Sequence, residues 1–382
     1  MLTATRDNFR PQMPIARRFA YFDHAAVGPL PEPTRTAIAR WLQQATELGD
    51  TVWPEWNRQV EQGRQHAAAM IGASADEIAL VPNTTAGINY IAQGFPWRSG
   101  DNVVTLVNEF PSNVYPWQNL AALGVETRLV DVRGGIVDLN RIEAACDERT
   151  RLLSLSWVGF ASGYRVDLHE VAALCQHRGI FFFLDAIQGL GVFPIDVRNV
   201  AVDALAADGH KWLLGPEGAG VMYLRREHLD FIRPVHVGWN SVQRPYDFGH
   251  IDFQLKPTAA RYEGGAANMA GQIGVAASLG LLRELGVSPE ASPVGEAVIE
   301  IARFAGEELE KIGATLLSPR IADHESGIVT FSVPGQEPMQ LREKLLAANI
   351  VVSCRGGGVR ISAHGYNDEE DVMRLIEVVR ML

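Results

Sequence analysis

Two runs decide the fold class between them: FFFLDAIQGLG, residues 181–191, and DALAADGHKWLLGPEGAG, residues 203–220. The first is apolar almost to its end, the pattern of a strand covered by helices on both faces. It closes on Asp185, and Lys211 follows beside a glycine-rich turn. In α/β sheets ligands gather at the carboxyl ends of strands, so both side chains fall where chemistry is done. A carboxylate there can keep a pyridine nitrogen protonated, which makes the ring an electron sink. A lysine amine can form a Schiff base with an aldehyde. The ordinary alternatives are a helix cap for Asp185 and a surface amine for Lys211. The second fits poorly, because His210, Trp212, Leu213 and Leu214 surround the lysine.

Working outward, apolar runs alternate with amphipathic ones. VVTLV (103–107), VETRLVDV (125–132), RLLSLSWV (151–158) and AGVMYL (219–224) read as strands. YPWQNLAALG (115–124), LNRIEAAC (139–146) and DLHEVAALCQHRG (167–179) read as helices, the last with Asp167 and Glu170 at capping-box spacing and Gly179 as its stop. Upstream, helices are expected over 34–48 and about 56–70, and Ser74 with Glu77 repeats the box. NTTAGINYIAQG (83–94) reads as a turn feeding a helix N-terminus. Such alternation predicts an α/β fold with a largely parallel sheet. After about Gly265 the pattern changes to helices over 269–285 and 294–312, then GIVTFSV, MQLREKLLAAN, IVVSC, GVRISA and a final helix. That helix carries an apolar stripe of Val372, Leu375, Ile376 and Val379, with Asn367 and Glu370 as its expected cap. At 382 residues the chain exceeds one core. The expected division is an irregular arm (1–20), a large domain (21–265) and a small α+β domain (266–382).

With 47% apolar and 21% charged residues the composition is that of a globular protein. A net charge of −11 argues against nucleic acid held by a general basic field, though not against a local anion site. Cys146, Cys175 and Cys354 form no metal or disulfide pattern, and His236 and His250 have no ligand-spaced partner, so no metal is assigned. No run of signal-peptide or membrane-spanning type appears, and the expected location is the cytoplasm.

The blocks YFDHAAVGPLP (21–31), NTTAGINYIAQG, NEFPSNVYPWQ (108–118), LDAIQG, ADGHKWLLGPEG, RYEGGAANMAG (261–271) and VRISAHGYNDEEDV (359–372) occur in the order of a known family. The chain resembles the class V aminotransferases of fold type I, which use pyridoxal 5′-phosphate (PLP), and within them the cysteine desulfurase-like and isopenicillin N epimerase-like proteins, with a kynureninase-like FPS block. The resemblance implies that Lys211 carries the cofactor as an internal aldimine. Asp185 would pair with its ring nitrogen and Gln188 with its phenolic oxygen. Thr84 and Thr85 would hold its phosphate at a helix start, where free N–H groups favour an anion. His210 would help hold that phosphate and frame the lysine, and Phe110 would stack on the ring in place of the desulfurase histidine. Asp208 stands where relatives often have serine; it is expected to bond to backbone or His210. Ala266 stands where they often have threonine, which leaves backbone donors of Gly265 and Ala266 to reach a partner subunit's phosphate. A homodimer with its sites at the subunit interface is implied.

Arg360 falls on the family's substrate-carboxylate arginine, and a guanidinium fork matches a carboxylate. Arg355 is a second candidate for substrate contact. Only GGGV separates the two, so the loop that carries the desulfurase cysteine is missing, and Cys354 is expected to pack in the core. These residues imply an enzyme acting on a small amino acid by Cα deprotonation through Lys211. Transamination is the first expectation, β-elimination with C–S cleavage the second and epimerisation the third. A non-catalytic PLP-binding sensor is the remote alternative.

Overall fold

The computed structural model describes residues 2–381. Its strands in chain order are β1 (Ala20–Tyr21), β2 (Ile78–Val81), β3 (Asn102–Leu106), β4 (Glu126–Val130), β5 (Thr150–Ser156), β6 (Phe181–Asp185), β7 (Ala204–Asp208) and β8 (Gly220–Leu224). β9 (Thr315–Leu316), β10 (Ile328–Ser332), β11 (Ile350–Val351), β12 (Ser353–Arg355) and β13 (Gly358–Ser362) follow. The central sheet runs β2-β8-β7-β6-β5-β3-β4, and β3 to β7 are parallel. β8 runs antiparallel to both of its neighbours, β7 and β2. All of β6 is buried. Alternation sends Phe182 and Leu184 into the core on one face, Phe181 and Phe183 into that on the other. This is the mostly parallel α/β architecture expected from residues 181–191.

The local differences have physical causes. The Ser74–Glu77 box is formed, but it closes one 3-10 turn that leads straight into β2, whose four residues are all buried. YPWQNLAALG is helical only over Tyr115–Gln118, tightens to 3-10 geometry, and stops at Gly124, φ 76°. IVVSC breaks in two: β11 pairs in parallel with β1, and β12 turns to pair with β13. The last helix, Glu369–Arg380, is capped by Asp368 and Asp371 rather than Asn367 and Glu370, because Asn367 Nδ2 is drawn inward to Asp371 at 3.0 Å. Its apolar stripe is buried as expected.

The four-stranded second sheet, β12-β13-β10-β9, is antiparallel. The arm is not irregular. A helix, Leu2–Phe9, and two 3-10 turns bury Phe9 and Met13, and Arg10 reaches Asp371 at 2.8 Å. The helix Met269–Glu284 lies on the large sheet's side. It crosses Trp53–Ile71 so closely that a Cβ on Gly63 would sit 2.9 Å from the Ala276 Cβ. Among the described residues no helix is long and apolar enough to cross a membrane.

Candidate active site

β5, β6 and β7 end side by side, and their carboxyl ends floor a cavity of about 240 Å³. Lys211 lies in its wall, just beyond β7, and is 8% exposed. The turn that holds it is tight. Leu214 adopts φ 57° with its N–H on the Lys211 carbonyl, a conformation a branched side chain takes only under constraint. Gly28 lies against the same carbonyl, and a Cβ there would come within 2.3 Å of it. Burial, with help from Arg360 and Arg355, lowers the Lys211 amine to about 8, against the pull of Asp185 and Asp208.

Asp185 ends β6, fully buried, with Oδ1 accepting from the Ile187 N–H at 3.1 Å. Burial raises its carboxyl to about 6. Gln188 lines the cavity one turn later. Across from them the helix Thr84–Gly94 begins, its start set by Asn83, whose Oδ1 accepts from the Ala86 N–H at 2.8 Å. The remaining first-turn donors belong to Thr84 and Thr85. Thr84 Oγ1 accepts from the Asp208 N–H at 2.9 Å, and Thr85 Oγ1 bonds to Ser112 Oγ at 2.9 Å. Phe110 stands over the lysine, its ring centre 5.5 Å from Nζ, braced edge-on by Phe160. His210 Nδ1 lies 3.0 Å from Asp208 Oδ2, a close contact without hydrogen-bond alignment.

The second sheet supplies the far wall. On β13 Arg360 is 1% exposed and fixed at three points: Ser353 Oγ at 3.1 Å, the Phe160 carbonyl at 2.7 Å and Asp23 Oδ1 at 3.2 Å. Three of its five N–H groups are used, which leaves one on each terminal nitrogen. Arg355 shares the same cavity. Strand alternation turns Cys354 the other way, and its thiol donates to the Pro338 carbonyl at 3.3 Å. Among the described residues no cysteine lines the cavity. Nine of the expected site residues thus meet, from Thr84 to Arg360. Gly265 and Ala266 do not join them; they line a separate hollow of about 480 Å³ beside Trp239 and Tyr246.

The sequence reading passed over three residues. Glu109, 8% exposed, accepts from the Ser156 N–H at 2.7 Å and from the Ser156 hydroxyl. Burial, and then Asp185, push its carboxyl up to about 7. Asp23 and Ser156 were missed as well. All three lie within or beside quoted blocks, but only folding puts Ser156 in the cavity wall, with Glu109 bonded to it and Asp23 bonded to Arg360.

A family model described as aminotransferase class V matches residues 20–375. The chain belongs to that family. This class V protein is a PLP-dependent enzyme. It is 29% identical to a probable cysteine desulfurase of Methanothermobacter thermautotrophicus, over 99% of this chain and 98% of the relative. Among solved structures it is similar to the apo cysteine desulfurase of Thermococcus onnurineus NA1, at TM-score 0.88 and 25% identity, covering 98% of this chain and 97% of that one. The fold is also shared with the cystine C-S lyase C-DES, TM-score 0.89 at 24% identity, over 97% and 99% of the two chains.

Proposed function

We propose that this class V enzyme cleaves the C–S bond of a small sulfur amino acid by β-elimination, without an enzyme thiol. The donor set fits PLP. A helix start with two threonines suits its phosphate. A buried carboxylate suits the ring nitrogen, an amide the phenolic oxygen, and Phe110 the ring face. Lys211 would hold the aldehyde carbon. When bound, the cofactor supplies an electron sink for charge developing at Cα.

The rest is the work of the chain. Arg360 keeps one N–H on each terminal nitrogen for the substrate carboxylate, and Asp23 and Ser353 keep the fork from turning. The buried Lys211 amine would take the Cα proton. The resulting ammonium returns that proton to sulfur as the C–S electrons leave with it. The observation that carries the choice over a desulfurase is the direction of Cys354, whose thiol bonds to Pro338 outside the cavity. The choice over transamination rests on the sulfur chemistry named for the relatives. Transamination uses the same Lys211 proton transfer, and it is the second reading.

One incubation separates them. Holoenzyme is expected to release pyruvate and ammonia catalytically from either substrate, with sulfide from cysteine and cysteine persulfide from cystine, and Cys354→Ser is expected to leave the rate unchanged. Stoichiometric conversion of the cofactor to its amine form, reversed by a keto acid, would establish transamination instead. Loss of sulfur release in Cys354→Ser would restore the desulfurase.

The expected homodimer remains part of this reading, with Gly265 and Ala266 serving a partner subunit's site, and so does a cytoplasmic location. We place the division between domains at the turn after Leu285 rather than at 265, since the helix Met269–Glu284 packs on the large sheet's helices.

A further inference from the structure

Gln188 sits in the cavity wall at 3% exposure, and an amide can be turned either way round. Here two partners leave no choice. The indole N–H of Trp212 is a donor only, and it meets Gln188 Oε1 at 2.7 Å. The carbonyl of Ala25 is an acceptor only, and it meets Gln188 Nε2 at 3.0 Å. One Nε2 hydrogen is therefore spent on Ala25, and the other remains for the cavity. Trp212 itself is locked. It is 1% exposed, its carbonyl accepts from His364 Nε2 at 3.2 Å, and a Cβ on Gly327 would strike its ring tip at 2.7 Å. His364 Nδ1 accepts from the Gly365 N–H, which fixes the tautomer that donates to Trp212.

We infer that Trp212 is a positioning residue that holds the Gln188 amide with its NH2 toward the cofactor's phenolic oxygen. This rests on the placement of Gln188 in the proposed site. Without the indole donor, the Ala25 carbonyl alone would hold the amide, by its Nε2, and the carbonyl end could turn about that single point toward the cavity, where an acceptor would face a phenolic oxygen that needs a donor. A donor at that oxygen lowers the affinity of that end of the cofactor for a proton.

The test is a pH titration of the bound cofactor's absorbance in wild-type, Gln188→Ala, Trp212→Phe and Trp212→His holoenzymes. Gln188→Ala and Trp212→Phe are both expected to raise the midpoint by about one pH unit, the scale of one hydrogen bond to a charged group. Trp212→His loses as much packing but retains a ring N–H, and is expected to stay nearer the wild-type midpoint. A shift in Gln188→Ala with none in Trp212→Phe overturns the inference and leaves the site reading intact. No shift in Gln188→Ala removes the reading on which it rests. Should Trp212→Phe fail to fold, nitrogen-15 indole spectra of the wild-type holoenzyme decide. A slowly exchanging, downfield Trp212 N–H is expected, and one at the position of an unbonded indole overturns the proposal.

Discussion

Glu109 and Asp185 are two buried carboxyls close enough to feel each other, and both are pushed up, to about 7 and about 6. A carboxylate that pairs with a protonated ring nitrogen has to be ionised, so Glu109 is the member that keeps its proton longer. The native state holds that proton to higher pH than the unfolded chain, whose glutamate titrates near 4.5. The contribution to stability is therefore full below 4.5 and is lost as pH rises through about 7. Its span is on the order of 3 kcal/mol. Glu109→Gln imitates the neutral acid, so the cofactor-free variant is expected to lose less stability between pH 5 and 8, as read by urea midpoints. Asp185 would still contribute a falling slope, opposed by the buried His24 and His364, whose imidazoles are held below the ordinary value and so gain stability as pH rises. A variant as steep as its parent would show that Glu109 is ionised throughout. Asp185, Gln188 and Lys211 were legible because each stands inside a block whose order has a chemical meaning. Glu109 was not, because its partner Ser156 is 47 residues away, and Asp23 meets Arg360 across 337. Such pairings have no local pattern.

At the scale of elements, the helix Thr84–Gly94 joins sequence to site most directly. Its start was legible in NTT, since Asn83 is a strong N-cap type, and the cap is present. Asn83→Ala is expected to cost about 1 kcal/mol of stability. It should also weaken cofactor retention several-fold, because Thr84 and Thr85 would no longer be held at the first turn. Dialysis of holoenzyme with thermal melts separates the two effects. Lost stability with unchanged retention would mean that this helix start is not the phosphate site. The long buried strands of the central sheet were readable to within a residue or two. β2 went unread because four apolar residues carry no period. The break in IVVSC is a tertiary choice: β1 offers an edge to Ile350 and Val351, whereas β13 offers one to Ser353–Arg355. That break sets the alternation which turns Arg355 toward the cavity and Cys354 away, so the reading of the thiol depends on it.

For the molecule as a whole, the segment after β1, the second sheet and the central sheet close on one cavity. Arg360 from β13 and Lys211 beyond β7 line it, and Asp23, just after β1, holds Arg360 in place, which no single segment announces. One surface is left without cover. In the connection 236–255, Ile251 is 96% exposed, Phe248 71% and Phe253 69%, and the hollow beside them holds Gly265 and Ala266. Apolar side chains gathered on one loop favour burial against a partner. A second copy of this chain satisfies both facts at once: it covers the loop and brings Gly265 and Ala266 to a cavity that lacks them. The holoenzyme is therefore expected to sediment as two 41.8 kDa chains. Phe248→Lys with Ile251→Lys should shift it toward one chain, with the cofactor retained less firmly although no residue of the 240 Å³ cavity is altered. A single 41.8 kDa chain that keeps both cofactor and full activity would show that the site is complete without a partner.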